Sequence, residues 1–370
     1  MQRHRSLATV RRRPILRTRH LISNDSQLAE LLPHLTAVER VALDTEADSL
    51  HVYREKLCLI QLSLPGDIDA LVDPLGDFSL QPFYAALEGK LIVLHGADYD
   101  LRLLRRAGGF VADAVFDTML AARLLGRREF SYAALVQAEF AVTLTKGSQK
   151  ANWARRPLTA AMAAYAQNDT RYLLALAERL EAGLRAVGRW DWFEQSCARA
   201  LTLAAIEKER DGEEAWRISG SGILRGLAAA IFRELWRWRD QEARHVDRPS
   251  FHILRNEELL AAAKEFAGGQ NPRFDHLRGS RRDRFYEAVE RARQLPESAW
   301  PMLAKRPFSR WTAEEEKRAA ALKNVRDKAA AELDLDPSII AARATLETLA
   351  VRAEAAADLL MPWQRSLLNL

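Results

Sequence analysis

Every stretch that reads as a β-strand falls in the first third of the chain, and helical periodicity takes over from Asp117 onward. Arg19–Ser23 and Arg40–Glu46 are short apolar runs of strand type. Lys56–Leu64 and Ile68–Asp73 alternate like paired strands around a Pro65-Gly66-Asp67 turn, and Leu91–His95 is a further apolar strand. Between them, Asn24 or Asp25 caps a helix running to about His34, and Leu28, Leu31, Leu32 and Leu35 form its apolar face. Pro82–Glu88 and Ala97–Ala107 read as helices, with Gly108-Gly109 ending the second. A flanked sheet followed by an all-helical half predicts an α/β domain with helical modules behind it.

Breaks in the helical half place its boundaries. Gly212–Ser221 is small and polar, and Pro296–Phe308 carries three prolines. At 370 residues the chain exceeds what one core normally fills, so two or three domains are expected. No apolar run is long enough to span a bilayer, so no membrane partner is expected. Two cysteines, Cys58 and Cys197, make neither a disulfide framework nor a cysteine zinc site, which points to a reducing, cytoplasmic setting. No histidine falls in an HExxH pattern.

The net charge of +5 is unevenly spread. Residues 1–20 hold seven arginines and no acid, so the remainder is slightly acidic. This arm reads as a nucleic-acid tether, an organelle transit peptide or a solvated tail. It lacks the apolar core of a secretory signal.

Asp44 and Glu46 end a buried strand two residues apart, so both side chains leave the same face of the sheet. Loops open at such strand ends, where α/β proteins place ligands. Leu91–His95 leads into a turn with Asp98 and Asp100. Asp98 has a simpler use as a helix cap, whereas Asp100 lies one step inside the helix. Tyr165 and Asp169 are four apart on one face of a helix predicted over about Thr159 to Ala182. A mid-helix aspartate needs a partner, which a metal ion, Arg171 or solvent would supply. Together, Asp44, Glu46, Asp100 and Asp169 would repel one another unless divalent cations are bound. Such an all-oxygen set suits two Mg²⁺ or Mn²⁺ ions and phosphoryl chemistry. Tyr165 would then aim the attacking water.

These residues lie in segments that resemble a known family. DTEADS with LCLIQLS, HGADYDL, and YAQNDTRYLL resemble the three motifs of the DEDD superfamily of 3′–5′ exonucleases, in its tyrosine subclass. FDTMLAARLLG (Phe116–Gly126) and KANWARRPLT (Lys150–Thr159) resemble the linking segments of ribonuclease D and related exosome-associated exonucleases. Leu224–Phe251, followed by ILRNEELLAAAKEF, resembles an HRDC domain, and DLDPSIIAARATLETLA with WQRSLL resembles a second, divergent one. The resemblance covers about residues 20–370 and leaves the arm without a counterpart. It implies a ribonuclease H-like α/β exonuclease domain, a mixed sheet flanked by helices, over residues 21–212. All-α HRDC-like domains would follow at 213–298 and 299–370, behind the arm at 1–20.

By the same resemblance, Asp44, Glu46, Asp100 and Asp169 are the metal-binding acids and Tyr165 orients the water. The implied activity is metal-dependent 3′–5′ hydrolysis of RNA 3′ ends to nucleoside 5′-monophosphates, with tRNA precursors as substrates and a monomer as the working form. A DNA exonuclease of the same superfamily and a non-catalytic RNA-binding scaffold are the alternatives.

Such an enzyme must hold a single-stranded 3′ end. Ser49, Leu50 and His51 follow the acid pair and are placed to flank the terminal nucleotide. Lys146, Lys150, Trp153, Arg155 and Arg156 supply cations and an aromatic between the second and third motifs, and Arg156 is the favoured phosphate contact. Gln61 is expected to hydrogen-bond within the core and His95 to orient the second-motif backbone. In the first helical module, Phe232, Trp236 and Trp238 read as core. Arg237, Arg239, Arg244, Arg248 and the run Arg278–Arg284 read as phosphate-contact candidates or solvated charge.

Overall fold

The computed structural model describes residues 21–145, 147–206, 214–302 and 311–370. The arginine arm, Lys146 and the boundary expected at residue 212 lie outside them. The described chain divides into two compact units. The first holds the chain through Glu46, Cys58–Gln149 and Arg156–Leu203; the second holds Ala47–Leu57, Lys150–Arg155 and Ala204–Leu370.

The first unit is built on a mixed six-stranded sheet. Its strands are β1 (Leu21–Ile22), β2 (Arg40–Ala47), β3 (Leu57–Leu64), β4 (Ile68–Val72), β5 (Leu91–Leu94) and β6 (Ala114–Asp117). The spatial order is β1-β4-β3-β2-β5-β6. β3 and β4 pair antiparallel, Ser63 opposite Asp69, while β1–β4, β2–β5 and β5–β6 are parallel. Every residue of β3 is buried, as a strand covered on both faces requires. The unit's helices are α1 (Asp25–Thr36), α2 (Gln81–Leu87), α3 (Asp98–Gly108), α4 (Thr118–Leu124), α5 (Tyr132–Phe140), α6 (Ala160–Arg171), α7 (Leu173–Ala186) and α8 (Trp190–Ala205).

Local chemistry sets several of these ends. The Asn24 side chain accepts the Gln27 N–H at the start of α1, and Thr159 accepts the Met162 N–H at the start of α6. Gly109 closes α3 in the left-handed region at φ 74°, where a side chain would be strained.

Two expectations need correction. The strands do not stop at Gly109, because Ala114–Asp117 pairs with β5 from Leu91↔Ala114 to Leu94↔Asp117. Four residues are too few for a period to show; the neighbouring strand makes them β. The helix predicted from Thr159 to Ala182 is in fact two, parted at Tyr172. The sequence pattern runs straight through that break.

In the second unit, α9 (Gly226–His245) packs on α10 (Ser250–Ile253), α11 (Asn256–Ala267) and α12 (Gly279–Gln294). Phe232, Trp238, Phe266 and Phe285 are central to this core, and Trp236 packs partly buried against it, as the spacing predicts. Tyr53, from the segment entering this unit, packs on the same core and donates its hydroxyl to Asp240 at 2.7 Å. Farther along, α13 (Ala313–Glu332) packs on α14 (Pro337–Ile340), α15 (Arg343–Val351) and, beyond the short α16 (Ala356–Leu359), α17 (Pro362–Leu368). No helix among the described residues is long and apolar enough to cross a membrane.

Candidate active site

β2 ends with Asp44 and Glu46 on one face, and α6 brings Asp169 to them. Ligand oxygens of these three carboxylates all lie within 4.8 Å of one another. Asp100, in the first turn of α3, is tied to β2 through one of its two oxygens. The backbone N–H and hydroxyl of Thr45, the residue between the two acids, both donate to its Oδ1 at 3.1 and 2.5 Å. Asp100 therefore stands outside the tight trio but remains close enough for its charge to raise the pKa of Asp44 and Glu46. Asp98 does not cap the helix. Ala97 occupies the cap position and Asp98 pairs with Arg102 one turn on.

The electrostatics are those of crowded carboxylates. Burial, then the charges of Asp169 and Asp100, push Glu46 up to about 9. Burial pushes Asp169 up to about 7. Asp100 rises to about 6 through burial, with the Thr45 bonds holding it down. Asp44 is raised well above the carboxylate range by burial and then by Asp100, Asp169 and Glu46. Tyr165, half-buried on the same face of α6 as Asp169, is raised by burial and then by the negative charges around it, so its phenol stays protonated at neutral pH. A hard divalent cation suits this all-oxygen donor set and would relieve the repulsion that the pKa shifts record.

A set of residues that the sequence did not single out frames the acids. Asp117, buried at the end of β6, accepts from Gly96 and Ala97 N–H, both at 2.9 Å, and from Met119 and Leu120 N–H at 2.8 and 3.3 Å. It thus caps α4 and holds the turn that launches α3 and Asp100. The backbone-orienting role expected of His95 falls to Asp117. The His95 ring instead contacts the Thr118 hydroxyl at 2.9 Å and packs on Tyr132. A hydrophobic strand ending in Asp before a helical run carries a cap signal, which could have found Asp117.

The expected nucleic-acid contacts fare unevenly. Trp153 is 1% exposed, so it offers no open face for a base. Arg156 bonds both oxygens of buried Asp73 at 2.6 Å and the Cys58 carbonyl at 2.6 Å, a bidentate internal pair. Lys150 is exposed and His51 partly so. Gln61 is fully buried as expected, but neither amide atom has a hydrogen-bond partner among the described residues. Among the arginines of the helical half, Arg239 is 4% exposed and donates to the Leu254 carbonyl and Asn256. Arg281 and Arg284 both bind Glu242, and Arg237 binds Glu234. These four are tied into the module's own structure; Arg248 stays exposed.

A mixed sheet whose strand ends gather carboxylates with a tyrosine from a facing helix defines a 3′–5′ exonuclease. The family model for 3′–5′ exonucleases matches residues 19–185, and the HRDC domain model matches residues 228–266. Ribonuclease D of Xanthomonas oryzae pv. oryzae is 31% identical over 370 residues, covering 95% of this chain and 96% of that protein. Ribonuclease D of Escherichia coli K12 is 32% identical over 292 residues, 76% of each chain. The crystal structure of Escherichia coli RNase D, an exoribonuclease involved in structured RNA processing, superposes with a TM-score of 0.71 at 26% identity, covering 95% of this chain and 98% of that one. The chain belongs to the ribonuclease D family of 3′–5′ exoribonucleases.

Proposed function

We propose that this exoribonuclease trims the 3′ ends of tRNA precursors, releasing nucleoside 5′-monophosphates, with two Mg²⁺ or Mn²⁺ ions held by Asp44, Glu46, Asp100 and Asp169. The observation that carries the metal reading is the trio of Asp44, Glu46 and Asp169 oxygens within 4.8 Å, with Asp100 coupled to them through Thr45. When bound, two such ions lower the pKa of an attacking water and stabilise the attacking and leaving oxygens of an in-line displacement. Asp44 and Glu46 are fixed by the strand, so the substrate phosphate is met by a rigid edge. Thr45 keeps Asp100 from swinging away. Tyr165 is too weak an acid to serve as base; it keeps its proton on the phenol oxygen and holds the water by hydrogen bonding.

His51 and Lys150 are the proposed contacts to the RNA 3′ end, since Trp153 is buried and Arg156 is internally paired. The RNA reading is supported by the ribonuclease D relatives, and tRNA precursors are carried over from the family resemblance. A monomer working in the cytoplasm completes the proposal; the reducing compartment is supported by two buried cysteines that form no disulfide.

The test is degradation of a 3′-extended tRNA and of matched RNA and DNA oligonucleotides with Mg²⁺ or Mn²⁺. Asp44→Ala should abolish hydrolysis with the fold kept, and Tyr165→Phe should slow it roughly 10²-fold. Unchanged degradation by Asp44→Ala would refute the metal site. A preference for the DNA oligonucleotide would assign the substrate to DNA.

A further inference from the structure

Asp169 must reach two other carboxylates that repel it, yet it rides on a helix surface with little intrinsic reason to face them. Its neighbours in sequence are held by three other elements of the first unit. The Tyr132 hydroxyl, from the first turn of α5, donates to the Asn168 carbonyl at 3.0 Å and accepts the Tyr172 N–H at 3.2 Å. In an uninterrupted helix that N–H and that carbonyl would bond to each other. The hydroxyl sits between them, and the helix parts there, at the junction of α6 and α7. On the other side, Ser63 of β3 donates to Asp69 at 2.6 Å, so its oxygen accepts from the Thr170 hydroxyl at 2.8 Å. Arg171 then binds the second oxygen of Asp69 at 2.9 Å. Residues 168, 170, 171 and 172 are thus each anchored, and Asp169 lies in their midst. Burial keeps the Tyr132 phenol protonated, so it retains the proton it donates.

We propose that Tyr132 and Ser63 are positioning residues that fix Asp169 against Asp44 and Glu46: the Tyr132 hydroxyl props the helix open and the Ser63–Thr170 bond sets the face it presents. The proposal rests on Asp169 being a metal ligand. Without the hydroxyl, the Asn168 carbonyl and Tyr172 N–H are free to close on each other, continuing the helix and turning Asp169 from its partners. Without Ser63, Thr170 loses its hydroxyl bond to β3, and the Arg171–Asp69 pair is left to hold that side against the carboxylate repulsion.

The experiment titrates the metal-free full-length protein with Mn²⁺ by calorimetry and separately measures kcat and KM on a single-stranded RNA. Tyr132→Phe and Ser63→Ala should each weaken Mn²⁺ binding about 10-fold, the usual scale for groups that orient a ligand. At fixed low Mn²⁺ kcat should fall with KM unchanged, and saturating Mn²⁺ should restore it. Tyr84→Phe, which removes a buried hydroxyl with no partner among the described residues, should bind Mn²⁺ like the parent protein. A merely structural role would lower the melting temperature and leave the Mn²⁺ affinity alone. If Tyr132→Phe does not fold, Ser63→Ala decides alone, because it removes one surface-independent hydroxyl from β3. Wild-type Mn²⁺ binding by the folded variants, alongside lost binding in Asp169→Ala, overturns the positioning role only. Wild-type binding by Asp169→Ala itself overturns the ligand assignment and the positioning role with it.

Discussion

Replacing Asp117 tests how the turn that carries Asp100 is held. The carboxylate is 3% exposed and accepts four backbone N–H groups, three on Oδ1 (Gly96, Met119, Leu120) and one on Oδ2 (Ala97). Asp117→Ala removes a helix cap, worth about 1 kcal/mol. It also leaves the Gly96 and Ala97 N–H groups unpaired beside a buried site, each costing about 1–3 kcal/mol. The sum is a loss of about 3–7 kcal/mol in urea-induced unfolding. Asp117→Asn separates the contributions. Its one amide oxygen can keep the three Oδ1 bonds, while its NH₂ faces the Ala97 N–H. Only that one contact is lost, so the cost should be about 2 kcal/mol. Activity at saturating metal should follow the same order, since Asp100 hangs from this turn. Equal destabilisation by both variants, or a cost below about 1 kcal/mol for alanine, would show that the four bonds do not hold the turn.

Two further outcomes follow from the site and its surroundings. Glu46, Asp169 and Asp100 bind protons more tightly folded than unfolded, their pKa values raised to about 9, 7 and 6. The metal-free protein should therefore lose stability as pH rises from the ordinary carboxylate range to about 9, and a melting temperature that climbs through that window would contradict the crowding of the acids. Arg156→Ala strands the buried Asp73 carboxylate and should cost about 3–5 kcal/mol in urea unfolding while leaving the KM for RNA unchanged; a raised KM with normal stability would return Arg156 to the RNA path.

Much of the site was legible because its chemistry is local. The Asp44–Glu46 spacing on a strand and the Tyr165–Asp169 spacing on a helix each fix a shared face through backbone geometry alone. The caps at Asn24 and Thr159 are equally local, since each side chain bonds a backbone N–H three residues on. What escaped depends on partners far along the chain. Ala114–Asp117 is a strand only because β5 lies beside it. At the break at Tyr172, the backbone N–H goes to the hydroxyl of Tyr132, forty residues earlier. Arg156 and Arg239 read as phosphate contacts because charge in a sequence looks available; Asp73 and the Leu254 carbonyl, unseen from the sequence, take them up.

The sequence by itself determined that strands precede helices, that acids sit at the end of one strand and on one face of a helix, and that these acids belong together by family pattern. Those are properties of short windows, where backbone period and residue type leave few choices. Only the tertiary structure decided which acids form the tight trio, that Asp100 bonds Thr45, and that a tyrosine and a serine from other elements bond the residues flanking Asp169. The physical reason is that like charges do not gather on their own. Their approach is set by hydrogen bonds and packing from distant segments, and those exist only once the chain has folded.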